Sequence, residues 1–146
     1  MDVPQKHKGK KRVVTIYGIV ALLIVVAFLL TLSTSNAALT MAKKSKLANE
    51  TEQVKAAVAG YYTEYSLYPT TSDNATLINI LTGVTADGNM RRIQFLTIKP
   101  SDLNARDEML DPWGMPIQLS VAADGTIHMR SAGPDKIFGT PDDINN

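Results

Sequence analysis

Cysteine is absent from all 146 residues, which excludes a disulfide framework, a thiolate metal site and a cysteine nucleophile. Histidine is almost as scarce. His7 lies in a basic stretch and His128 stands far from it, so a site for softer metals has no ligand set. The net charge of +1 lacks the basic excess that a nucleic-acid footprint requires. Glycine-rich phosphate loops and dinucleotide fingerprints are missing as well. No nucleophile, base and orienting partner come together in the pattern, so neither an enzyme nor a small-molecule substrate is expected. What remains is ordinary globular material, 45% hydrophobic and 20% charged, which argues against disorder of the whole chain.

One apolar run stands out. Val13 to Leu32 carries no charge, and as a helix it would extend roughly 30 Å, the thickness of a hydrocarbon core. Lys6, Lys8, Lys10, Lys11 and Arg12 precede it, whereas Lys43, Lys44 and Lys46 follow more distantly. Basic flanks stay on the cytoplasmic side. The expected organisation is therefore a cytoplasmic basic arm over 1–12, a transmembrane helix over 13–32 and a periplasmic domain over 33–146. A single pass through the membrane with the N-terminus on the cytoplasmic side is the expectation. The alternative is a signal peptide ending after Ala37, although the run exceeds the ~7–15 residues of a usual signal core.

Beyond the run, Leu47, Val54, Ala57, Val58, Tyr61, Tyr62 and Tyr65 recur at spacings of three and four, predicting one long amphipathic helix with a core-facing stripe. Gly60 inside it points to close packing. Tyr68-Pro69-Thr70 should end the helix. Asn74 is expected to cap a short helix over 75–81 that Gly83 stops. Arg91 to Ile98 reads as a strand or an extended segment. Ile117–Val121 and Thr126–Arg130 flank Asp124-Gly125, a hairpin signal. The fold class that results is α+β, a long N-terminal helix packed on a small antiparallel sheet.

The C-terminal stretch from Ser131 concentrates Asp135, Asp142 and Asp143 among turn formers, Gly133, Pro134, Gly139 and Pro141. Hard cations take oxygen ligands, and calcium takes about six to eight from carboxylates, carbonyls and water. Backbone carbonyls around Arg130, Gly133 and Lys136 are natural additions. By chemistry alone a solvated acidic tail and a calcium loop stand level, and the spacing is not that of an EF-hand.

Several segments resemble the major pseudopilin of bacterial type II secretion systems. They are Tyr68-Pro69-Thr70, Arg91-Arg92-Ile93-Gln94-Phe95-Leu96, Asp111-Pro112-Trp113-Gly114, and Ser131-Ala-Gly-Pro-Asp135 with Gly139-Thr140 and Asp142-Asp143-Ile144. The resemblance implies a type IV pilin-like fold and a structural role in a pseudopilus that takes part in protein export. Its partners would be other pseudopilins and secretion-system assembly proteins. It also implies a Ca2+ loop in which Asp135, Asp142 and Asp143 are the carboxylate ligands, which favours calcium over the tail. The N-terminus departs from the pattern. Pilin-like precursors carry a glycine followed by a Phe-Thr-Leu-Ile-Glu-like start, where the peptidase cuts, whereas Gly9 is followed by Lys10-Lys11-Arg12. No Asp or Glu lies between Asp2 and Glu50. A membrane-anchored or secreted calcium-binding recognition domain that does not polymerise is the second reading.

Overall fold

The computed structural model describes the backbone of residues 8–145 and the side-chain surroundings of residues 17–27 and 37–145. Two compact units divide between Met41 and Ala42. Helix α1 is assigned to Lys8–Tyr65. In the first unit the described large apolar side chains are exposed, Tyr17, Leu22 and Leu23 among them. The expected transmembrane segment falls here, but the side chains of 13–16 and 28–32 lie outside the described residues, as does the basic arm over 1–7. Among the described residues no helix is long and apolar enough to cross a membrane.

The second unit holds the core. Leu47, Val54, Ala57, Val58 and Tyr61 of α1 are buried, and Tyr65 packs at the margin. Tyr62, expected in the same stripe, is exposed and instead stacks on Tyr68 with ring centroids 4.5 Å apart. Gly60 allows close packing, since a Cβ there would sit 3.3 Å from Phe95 Cδ1. The helix ends at Tyr65, three residues before Tyr68, because Ser66 turns into the left-handed region at φ 54°.

Helix α2 runs over Asn74–Thr82. Its cap is Asp73, whose carboxylate accepts the Thr76 N–H at 2.7 Å, and not Asn74 as the pattern suggested. The Thr76 hydroxyl and then its N–H hold the Asp73 carboxyl below the usual carboxylate range. Asn74 is buried and does different work. Its Nδ2 donates to the Met109 and Ile117 carbonyls at 3.0 and 2.8 Å, and its Oδ1 accepts the Met109 N–H at 2.9 Å. One amide thus joins the start of α2 to two segments that lack strand partners at those groups. Gly83 ends α2 in the left-handed region at φ 75°, where a side chain would meet the Arg92 carbonyl.

The segment 91–98 forms no strand: Arg91 lies in a turn, Arg92 is left-handed at φ 49°, and residues 93–98 have no regular secondary structure. Its backbone is satisfied elsewhere. Leu81 O accepts from both Phe95 N and Leu96 N, and the fully buried Asn89 bonds both the N–H and the carbonyl of Ile93. Internal β-propensity has no neighbouring strand to pair with, so local polar partners decide the conformation.

The sheet has three antiparallel strands in the order β1-β2-β3: Gln118–Val121, Ile127–Ser131 and Ile144–Asn145. Leu119 pairs with Met129 on the buried face, while Gln118 pairs with Arg130 and Ser120 with His128 on the other. The hairpin falls where Asp124-Gly125 placed it. Strand β3 was not expected, because two residues leave no periodic signal. Replacing Asn74 by Ala removes the partner of the Met109 N–H and of the Ile117 carbonyl, while the Met109 carbonyl keeps the Ile117 N–H, and the expected loss of stability is about 2 kcal/mol. Urea unfolding of the variant checks this, and a loss under about 1 kcal/mol would contradict the bridging role.

Candidate metal loop

The acidic segment is a closed loop. It leaves β2 at Ser131 and returns at β3, where Ser131 pairs with Ile144 and Arg130 with Asn145. Sheet pairing therefore brings Arg130 beside Asp143, although 13 residues of chain separate them.

The neck of the loop is anchored from the Asp111-Pro112-Trp113-Gly114 turn. Asp111 is buried, and its Oδ1 accepts the N–H groups of Trp113 and Met115, each at 2.9 Å. Its Oδ2 accepts the Ser131 hydroxyl at 2.6 Å, and Ser131 Oγ in turn accepts the Gly133 N–H at 3.1 Å. The turn is thus architectural, holding backbone and the neck of the loop. What sequence proximity did not show is its partner, Ser131, which lies 20 residues downstream.

Gly133 sits at φ 67°, and a Cβ there would fall 2.3 Å from the Asp142 carbonyl oxygen, so the two sides of the loop touch at this point. Asp135 Oδ1 accepts the Ile137 N–H at 2.8 Å. Asp142 accepts the Asp135 N–H through Oδ2 at 3.1 Å and the Thr140 hydroxyl through Oδ1 at 2.5 Å. The Thr140 hydroxyl is the main reason its carboxyl is held below the ordinary value. Asp143 Oδ2 accepts the Gly139 N–H at 2.8 Å and Arg130 Nε at 2.9 Å, with a second contact from the same guanidinium. The Gly139 bond comes first among the causes that lower this carboxyl, with Arg130 adding to it. Both acids thus stay ionised into more acidic solution than a free aspartate.

Of the sequence-predicted ligands, Asp135, Asp142 and Asp143 do share one loop. The Gly133 carbonyl accepts the Lys136 N–H at 3.3 Å, and Lys136 itself is exposed at φ 62°. Arg130 contributes more than a backbone position, because its side chain enters the loop. Among the described residues no three His, Cys, Asp or Glu side chains converge closely enough to hold a metal as they stand. Internal donors occupy most of the carboxylate oxygens instead. One is left over. Asp143 Oδ1 is buried without a hydrogen-bond partner, on a side chain only 5% exposed. An orphaned hard anionic oxygen, in a loop that carries two further carboxylates and no thiol or imidazole, fits calcium better than any softer ion.

A second buried carboxylate lies apart from the loop. Lys46 donates to Asp102 Oδ1 at 2.8 Å and reaches Glu50 Oε1 at 3.2 Å, while Glu50 Oε2 is buried without a partner. Burial pushes the Glu50 carboxyl up, against the opposing pull of Lys46. The pattern around Glu50 had given no sign of this.

No protein-family model matches the chain, and no curated protein matches its sequence. Among solved structures, the chain is similar to that of the major pseudopilin from the type 2 secretion system of enterohaemorrhagic Escherichia coli. Identity is 24%, the match covers 73% of this chain and 87% of that one, and the TM-score is 0.43.

The loop geometry makes Gly133 the position least open to change. Gly133→Ala should lower the stability of the domain by more than about 1 kcal/mol, combining left-handed strain with the Asp142 clash. Thermal unfolding measures it, and an unchanged midpoint would show that the two sides of the loop are not in contact.

Proposed function

We propose that this chain is a structural, pseudopilin-like subunit of a type II secretion pseudopilus that takes part in protein export. Val13–Leu32 anchors it in the inner membrane, and the domain from Ala42 onward lies in the periplasm. The observation that carries the reading is the Asp111–Ser131 hydrogen bond. It joins the two most specific sequence segments, the Asp-Pro-Trp-Gly turn and the start of the acidic loop, into one buried unit. Segments that resemble a family separately here act together. Their chemistry is structural: the Asp111 carboxylate holds two backbone N–H groups and the Ser131 hydroxyl.

The acidic loop takes Ca2+ under this reading, through Asp135, Asp142 and Asp143, with carbonyls at Arg130, Gly133 and Lys136 as further oxygen donors. Calcium supplies charge neutralisation at three carboxylates in a small core without disulfides, and binding only the native state stabilises it.

A second reading is favoured by the N-terminus. The early acid of pilin-like apolar segments is missing, and a charge in hydrocarbon is tolerated chiefly when paired, so this chain lacks one register-setting contact. An accessory subunit, or an anchored calcium-binding domain that does not polymerise, follows from that.

Co-expression with a type II secretion assembly machinery separates these readings. A photo-crosslinker placed on α1 should trap another pseudopilin, and shearing should release no filament made of this chain alone. Abundant filaments of this chain alone would overturn the accessory role. Absence of any pseudopilin crosslink would overturn the pseudopilus role in favour of the anchored domain.

A further inference from the structure

We infer that Arg130 is a built-in competitor of the cation at the acidic loop, so that the loop has an arginine-clamped state and a cation-bound state. The inference rests on the calcium reading and specifies how that site is controlled.

Three observations carry it. First, the guanidinium engages Asp143 Oδ2 through both Nε and a terminal nitrogen, so its fork converges on one carboxylate oxygen and does not take both. A positive charge thus already stands within bonding distance of one carboxylate ligand. Second, the other oxygen, Oδ1, is buried with no hydrogen-bond partner. A guanidinium that satisfied the whole carboxylate would leave nothing over. The clamp is therefore incomplete, and Asp143 retains an unmet demand that a second cation can fill. Third, Arg130 has somewhere to go. Its side chain is 39% exposed, its guanidinium lies 5.6 Å from the Phe138 ring centre, and both residues line an open depression of about 760 Å³ on the outer face of the sheet, beside His128 and Asn145. It can release Asp143 without entering the core.

The energetics point the same way. Two cations close to one carboxylate repel each other, and near a protein surface that repulsion is substantial at about 4 Å. Calcium must therefore displace the guanidinium or bind against it. Each route weakens calcium binding and keeps the loop folded when calcium is scarce.

The test is calorimetric titration of CaCl2 into the full chain in detergent, for the wild type, Arg130→Gln and Arg130→Lys, with thermal midpoints in chelator. Removing the charge should tighten calcium binding about tenfold while lowering the midpoint in chelator. A supporting role without competition would lower the midpoint and leave binding unchanged or weaker, which overturns the inference. Arg130→Lys keeps a charge but loses the fork, so binding should tighten by about threefold. It carries the test if Arg130→Gln does not fold, and no tightening in it then overturns the inference. No heat of calcium binding in the wild type or either variant overturns the calcium reading itself.

Discussion

A carboxylate in a protein core is tolerated only when its oxygens are paired, and Asp111 meets that demand with two backbone N–H groups and one hydroxyl. The consequences spread from there. The backbone bonds fold residues 111–115 into a tight turn, which presents Trp113 to the core and delivers the chain into β1. The hydroxyl fixes Ser131 at the end of β2, and through Gly133 it sets the direction in which the loop departs. Besides this bond, the short pairing of β2 with β3 and the Arg130–Asp143 ion pair tie the C-terminal loop to the hairpin.

The loop repeats the problem under looser terms. Three aspartates stand in a segment that can bury little apolar surface, and each is answered by local donors, namely Ile137 N–H, Thr140 hydroxyl and Gly139 N–H. Beside the loop's own Lys136, Arg130 adds a formal positive charge that it brings from β2 to Asp143. Partners drawn from the backbone make the loop rigid, and a partner drawn from a flexible side chain makes it responsive. The orphaned oxygen of Asp143 marks the point where internal compensation ends.

Much of this architecture was legible in the residues. The helical spacing from Leu47 to Tyr65, the stop at Gly83 and the Asp-Gly hairpin are local signals, and local geometry decided them. Gly60 also read correctly, because a glycine within a helix implies a close neighbour. The errors share a cause. The 91–98 segment has strand composition, yet Leu81 O and Asn89 satisfy its backbone, and neither can be inferred from the segment itself. Asn74 looked like a cap because asparagine caps helices, but Asp73 took that place and left Asn74 free to bridge loops. In the loop, the three aspartates were visible as a group. The Arg130 side chain was not, since its role depends on the register that sets Arg130 against Asn145. Long-range polar pairing has no period, so composition and spacing cannot reveal it.

The central claim is that this loop, tied to the core by Asp111 and Ser131, responds to calcium as one structural unit. Hydrogen exchange of the full chain, compared in calcium and in chelator, tests it most directly. The account predicts slower exchange in calcium for the amides from Ala132 to Asp143, with the β1–β2 hairpin and α2 unchanged. Identical exchange across that loop in the two conditions would contradict it.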